Sequence, residues 1–192
     1  MNIVDFVFSS SGVELNQIKA VAVSLGPGSF TGIRIGLAAA KGICFGLNIP
    51  CIGVGALKGL AYNLLGFNGL ICLLMDAKNQ RVYTALFNSF EKEQKRLEKD
   101  SVLEIKSLKE KLQQKKEKIF LVGDFAKELY SQLKDLNNVF LAPVNLTMPC
   151  STSIGLLAIK KLKQNTDFKD PIPKYLKLSQ AEEELKKKND KI

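Results

Sequence analysis

The sequence predicts an α/β protein of two related lobes, the first incomplete. Three observations carry that expectation. Strand-like and helix-like segments alternate along the chain. Their order from residue 70 onward, β-β-β-α-β-α-β-α, is repeated before it as α-β-α-β-α, which is the same series without its three opening strands. A glycine-proline turn at Gly26-Pro27-Gly28 joins an early strand to a long apolar helix.

The elements follow in order. Residues 1–11 read as an amphipathic helix with Ile3, Val4, Val7 and Phe8 apolar and Gly12 as its stop. Residues 19–25 form a strand. Ser29 or Thr31 caps a helix running to about Leu47, which Asn48 and Pro50 end. Residues 51–54 are a short buried strand and 56–65 a helix, with a break over 66–69. Residues 70–76 and 81–87 are paired strands around the turn Lys78-Asn79-Gln80, the second alternating Val82, Thr84 and Leu86 against Tyr83, Ala85 and Phe87. A weaker third strand lies near residues 97–105. Ser107 caps a polar helix to about Lys116, Asp124 caps another to about Leu133, and Ser151 or Thr152 begins the last, which ends near Lys163. Strands fall at 119–122 and 139–141. This divides the chain into residues 1–68 (an incomplete first lobe), 69–178 (a second lobe) and a charged tail over 179–192. The order is that of ribonuclease-H-like lobes in an actin-like, two-lobed fold.

Composition narrows the function classes. The chain has 192 residues and a net charge of +9. Residues 1–90 hold six of the 28 basic side chains, so the excess is concentrated later, in Lys-rich helical stretches where acidic side chains are interspersed. Arginine and aromatic interleaving is absent, which favours a solvated face over a dedicated RNA surface. The four cysteines fit neither a redox CxxC nor a zinc knuckle and read as reduced core or near-core thiols. The longest purely apolar stretch, Leu70 to Met75, is far shorter than a bilayer span, and no basic leader precedes an apolar segment at Met1. A cytoplasmic protein is expected. The absence of histidine removes the commonest general base and metal ligand, so no metal site is expected.

The segment Ser24-Leu25-Gly26-Pro27-Gly28-Ser29-Phe30-Thr31-Gly32-Ile33-Arg34-Ile35-Gly36 is the most informative. It reads as strand, turn and helix start. Gly26, Gly28 and Ser29 could line a phosphate-side turn, since a helix start offers free amides; a tight structural turn is the plainer reading. Asp76 is the one candidate metal- or phosphate-side carboxylate, with a strand-to-turn cap as the plainer role. Inside the helix, Gly32, Gly36 and Ala40 recur every four residues, with Ala39 near the same stripe. Helical glycine costs about 1 kcal/mol relative to alanine, so the stripe points to close packing, either on the chain's own sheet or on another molecule. Arg34 reads either as a solvated side chain or as an intersubunit or domain-bridging ion pair.

The segment GPGSFTGIRIGLAAAKGICFGLNIPCIGVGALKGLA closely resembles the bacterial TsaB (YeaZ) family of the actin-like ATPase superfamily. The likeness continues through Met75-Asp76-Ala77-Lys78 with Arg81-Val82-Tyr83, through Val122-Gly123-Asp124, Pro149 with Ser151, Pro173-Lys174-Tyr175-Leu176-Lys177, and Gln180-Ala181-Glu182. Lys78 and Lys177 replace the usual arginines. Family members open with an "IDTS"-like strand and two more strands, absent here, so a misassigned start or a partial gene model is expected.

The resemblance implies a non-catalytic subunit in forming N6-threonylcarbamoyladenosine at position 37 of tRNA. Its partners would be TsaD, the larger metal-holding relative, and the small ATPase TsaE, with self-association as another mode. The docking helices would be residues 1–11 and 30–47, which makes Ile3, Val7, Gly32, Arg34, Gly36, Ala39 and Ala40 the expected interface. No cofactor is implied for the chain alone; ATP or ADP could sit at the interface of the complex, and tRNA would be met through the complex. Two rivals stand. A nucleotide-binding, actin-like transferase or kinase would need the absent opening strands. A glycoprotease-type peptidase would need the helical HxxxH that the metal-holding relative supplies and this histidine-free chain lacks.

Overall fold

The computed structural model describes residues 2–164 and 168–177. Its elements are α1 (Asn2–Ser11), β1 (Val21–Ser24), α2 (Phe30–Leu47), β2 (Cys51–Val54), α3 (Ala56–Tyr62), β3 (Gly69–Asp76), β4 (Arg81–Phe90), β5 (Glu93–Arg96), β6 (Ser101–Glu104), α4 (Ile105–Gln113), β7 (Ile119–Val122), α5 (Ala126–Ser131), β8 (Val139–Leu141) and α6 (Ser151–Lys163). The expected likeness at Gln180-Ala181-Glu182 and the charged tail lie outside the described residues, as does Met1.

Two sheets organise these elements. β1 and β2 pair in parallel, Val21 opposite Cys51 and Ser24 opposite Val54. The second sheet runs β5-β4-β3-β7-β8, with β6 also on β4. β3 and β4 are antiparallel; β3, β7 and β8 are parallel. Parallel strands buried on both faces are near-continuous in apolar residues, and β7 (Ile119-Phe120-Leu121-Val122) is buried throughout. The alternation expected along β4 separates two faces. Val82 and Leu86 join Leu70, Cys72 and Leu74 under α4 and α5. Ala85 and Phe87 join Ile71 and Leu73 under Leu57, Leu60 and Ala61 of α3.

The helices cross between the lobes. α3 follows the first sheet in sequence but packs on the second. α6 follows the second sheet but packs on the first, where Leu157 and Ala158 meet Ile52 and Val54. The two helices meet: Ser153 Oγ donates to Asn63 Oδ1 at 2.6 Å, and Asn63 Nδ2 donates to the carbonyls of Leu146 and Met148.

Several expected details change. The strand expected near residues 97–105 is confined to β6, Ser101–Glu104, and the short strand β5, Glu93–Arg96, precedes it unexpectedly. Between them the amides of Leu97 and Glu98 both donate to the Leu86 carbonyl, which turns the chain, and Ile105 already begins α4. Glu104, not Ser107, precedes α4. Asp124 does not cap α5; its Oδ1 accepts the Asp76 amide at 2.9 Å, and Phe125 stands at the cap position. α3 ends at Tyr62 and continues as single turns. The turn after β3 holds three successive left-handed residues, Lys78, Asn79 and Gln80. Ser29 does cap α2, accepting the Gly32 amide at 3.2 Å.

Candidate functional site

α2 divides into three faces. Leu37, Ala40 and Cys44, spaced to fall on one line of the helix, are buried toward the first sheet. Gly32 and Gly36 border a cleft. Ile35, Ala39 and Phe45 are exposed, Phe45 at 92%. This splits the small-residue stripe expected of an interface. Ala40 belongs to the chain's own core, whereas Gly32, Gly36 and Ala39 are exposed, and a Cβ on Gly36 would meet nothing within 4 Å.

α1 adds to the outer apolar surface through Ile3, Phe6 and Val7, all exposed. A groove of about 520 Å3 lies between α1 and α2, lined by Val4, Phe8, Val13, Ile43 and Leu47 among others. Exposed apolar residues scattered singly are ordinary; a cluster on two adjacent helices is not. α2 is the one helix among the described residues long and apolar enough to cross a bilayer.

The turn entering α2 lines the cleft between the lobes. Its volume is about 500 Å3, and Gly28, Ser29, Gly32, Gly36, Gly59 and Ile154 contribute to its wall. Gly26 lies just behind, with φ +97; its carbonyl accepts the Ala56 amide at 2.8 Å, and a Cβ there would press on Ile33 and the Lys174 carbonyl. The N-termini of α2 and α6 both border the cleft, through Ser29 and Ser151. Among the described residues, no lysine, arginine, aspartate or glutamate lines it.

Asp76 is not among the residues lining the cleft. Its carboxylate accepts the Lys78 amide at 2.7 Å and the Lys78 ammonium at 2.5 Å, which hold it below its ordinary pKa. That is the strand-to-turn cap, and it leaves Asp76 engaged within its own turn. Among the described residues, no group of three or more Cys, Asp or Glu side chains could hold a metal ion.

Arg34 has a partner that neither sequence reading anticipated. Its Nε donates to Tyr175 Oη at 2.7 Å, and its guanidinium lies 4.4 Å from the Phe30 ring centroid. Tyr175 stacks on Phe30 with centroids 4.0 Å apart. Residues 168–177 therefore form a strap across both lobes. Phe168 packs in the first-lobe core, Asp170 pairs with Lys41 of α2 at 2.6 Å, and the Lys174 amide donates to the Leu25 carbonyl. The Lys174 ammonium meets Asp100 at 2.5 Å, and Lys177 donates to the Ala77 carbonyl. Asp100, with a side chain 1% exposed, also pairs with Arg96.

The cysteines divide. Cys44 and Cys72 are buried as expected and Cys51 is half-buried, but Cys150 is exposed at the start of α6. The Thr152 hydroxyl, then the Thr152 and Ser153 amides, hold its thiol below the ordinary value.

A profile described as TsaD: tRNA N6-adenosine threonylcarbamoyltransferase matches residues 1–185. The tRNA threonylcarbamoyladenosine biosynthesis protein TsaB of Bacillus subtilis is 29% identical over 168 residues, 86% of this chain and 72% of that protein. The chain belongs to the family that this profile describes, and within it is similar to proteins named TsaB. TsaB of Escherichia coli is 41% identical over 81 residues, 41% of this chain but only 35% of that protein. The fold is that of YeaZ from Pseudomonas aeruginosa, with a TM-score of 0.67 at 20% identity over 88% of this chain and 79% of that one.

Proposed function

We propose that this chain is a non-catalytic, cytoplasmic subunit in the formation of N6-threonylcarbamoyladenosine on tRNA, and that it acts by docking α1 and α2 onto a larger TsaD homologue. The observation that carries this reading is the apolar exposure of those helices, Ile3, Phe6 and Val7 on α1 and Ile35 and Phe45 on α2, with an apolar groove between the two helices. A surface of this kind is covered by a partner in a working complex. A TsaE homologue and tRNA then join through the complex, and in the partner's absence the same face can pair two copies of this chain.

The cleft supports a passive role better than catalysis. Among the described residues no carboxylate or ammonium group lines it, and Asp76 is engaged within its own turn. The chain also lacks histidine, so neither a peptidase metal site nor a histidine-activated serine can be built from it. The helix starts at Ser29 and Ser151 leave room for a nucleotide phosphate once the partner closes over the cleft, which keeps ATP or ADP a ligand of the complex and not of the chain alone.

Hydrogen exchange on the chain alone and mixed with its TsaD homologue tests the docking reading. Protection gained along residues 2–11 and 30–47 is expected. Protection confined to the second sheet, or no complex on size exclusion, overturns it.

A further inference from the structure

The link from α2 to β2 is bounded by two cysteines. Cys44 ends the buried line of α2 that runs through Leu37 and Ala40, and Cys51 is the first residue of β2. The segment between them, residues 45–50, reverses the chain tightly. Asn48 stands in the left-handed region at φ 52, and the Ile49 amide donates to the Cys44 carbonyl at 3.0 Å. The Pro50 carbonyl accepts the Val21 amide at 3.1 Å, which seats the start of β2 beside β1. The turn is thus held from the helix side and from the strand side, and it folds back on Cys44 just before Cys51.

Alternation along β2 decides which way Cys51 faces. Ile52 and Val54 are buried against Leu157 and Ala158 of α6. Successive side chains of a strand point to opposite faces, so Cys51 points to the other face of the first sheet. α2 packs on β1 and β2 and buries Leu37, Ala40 and Cys44. The two thiols meet there. Loss of solvent, then the charge and hydrogen bond of Cys44, push the Cys51 thiol up to about 11. Cys44 is buried and Cys51 half-buried, so one sulfur of the pair is open to solvent and the other lies inside the fold. The remaining cysteines lie elsewhere: Cys72 is buried in the second sheet, 3.9 Å from the Thr84 hydroxyl, and Cys150 precedes α6.

We propose that Cys44 and Cys51 form a reversible disulfide that locks the end of α2 to the start of β2. The oxidant is a low-molecular-weight disulfide such as oxidised glutathione. The Cys51 thiol loses its proton and its sulfur attacks one sulfur of the oxidant; that S–S bond breaks, and the released thiolate takes up a proton. Cys44 then attacks the Cys51 sulfur of the mixed disulfide in the same way and releases the second glutathione thiol. Two protein thiols are oxidised, one external disulfide is reduced to two thiols, and protons balance. The thiolate is the attacking form, so the raised Cys51 pKa keeps the first step slow at neutral pH and speeds it as pH rises. Transient disulfides of this kind are the ones found where thiols are otherwise kept reduced. The site does not depend on the docking reading and stands or falls separately from it.

The test equilibrates the 192-residue chain with mixtures of reduced and oxidised glutathione at mildly alkaline pH, both folded and in urea. Cleavage after lysine releases residues 42–58 as one peptide carrying both cysteines, so the disulfide reads as a loss of two hydrogen atoms with both sulfurs protected from alkylation. The folded chain should form it about tenfold or more readily than the chain in urea, measured from the glutathione ratio at half-oxidation. Cys150→Ser, which removes the exposed thiol, should leave that ratio unchanged, with circular dichroism verifying the fold. A folded-state advantage below about threefold, a mixed disulfide at Cys51 that goes no further, or a disulfide joining either residue to Cys150 overturns the proposal.

Discussion

Replacing Phe45 by lysine separates docking from folding. Phe45 is 92% exposed in the last turns of α2, so its ring contributes almost nothing to the chain's own core. Surface substitutions of this kind change stability by about 0.5 kcal/mol or less. The sign here favours the variant. Lysine is the better helix former. The last turn of α2 carries no basic residue, and a cation there gains about 0.3–1 kcal/mol from the helix dipole. The melting temperature should therefore hold or rise by a degree or two, given about 2–4 °C per kcal/mol for a chain of this size. Docking should behave oppositely. Burying a phenylalanine side chain contributes about 1.5–3 kcal/mol. Its loss alone corresponds to roughly a 10- to 150-fold weaker complex at about 1.4 kcal/mol per decade, and setting an ammonium against an apolar partner adds to it. Titration against the TsaD homologue, paired with a thermal melt, reads both. A dissociation constant within threefold of the unmodified chain, with the melt intact, would refute the assignment of this face. A lowered melting temperature would refute the claim that Phe45 is outside the fold.

Three further outcomes are expected. Gly36→Leu should fold with unchanged or improved helicity, because a Cβ there meets nothing within 4 Å and glycine is the poorer helix former; its pairing with the TsaD homologue, measured by pull-down, should weaken if docking needs close approach. Asp100→Asn should cost about 2–4 kcal/mol in urea denaturation, since it leaves Arg96 and Lys174 without their shared buried carboxylate; protease cutting within residues 168–177 should rise, and a change under 0.5 kcal/mol would place the strap's anchor elsewhere. Burial lifts the Cys72 thiol from 9.0 to about 12, so its folded form stays protonated where the unfolded form ionises. Stability from this group is complete below about pH 9 and declines as pH rises toward 12, and Cys72→Ala should flatten that alkaline decline in a pH series of denaturant midpoints.

The core was legible because it follows local periodicity. The two-residue alternation of β4 fixed which side chains face α3 and which face α4 and α5, and the glycine-proline turn fixed where α2 begins. The stripe on α2 was read less well. Four-residue spacing advances a helix by slightly more than a turn, so Gly32, Gly36 and Ala40 drift around it; the buried line through Leu37, Ala40 and Cys44 takes the last and leaves the first two at its edge. The strap was legible only as the segment Pro173-Lys174-Tyr175-Leu176-Lys177 of the resemblance, not as a structure. Pro171 and Pro173 give it no helical or strand period, and its contacts pair residues far apart in sequence, such as Arg34 with Tyr175.

The packing of α2 relates its exposed face to the cleft. α2 presents Ile35 and Phe45 outward, Leu37 and Cys44 to the first sheet, and Gly32 and Gly36 to the cleft. Two of these faces belong to one rigid helix whose third face is packed, and packed elements move as bodies instead of deforming. Glycines at the cleft have no side chains with which to absorb a displacement. The far wall includes Gly59 of α3, where a Cβ would lie 2.5 Å from Ile154, so α3 and α6 are already in close contact. The strap holds α2 from its open flank through Lys41 with Asp170 and Arg34 with Tyr175, both at the surface, where such contacts are individually weak. If a partner docks on Phe45 and Ile35 as proposed, it presses against the weaker side of the helix's attachments, and a shift of α2 would change the width of the cleft.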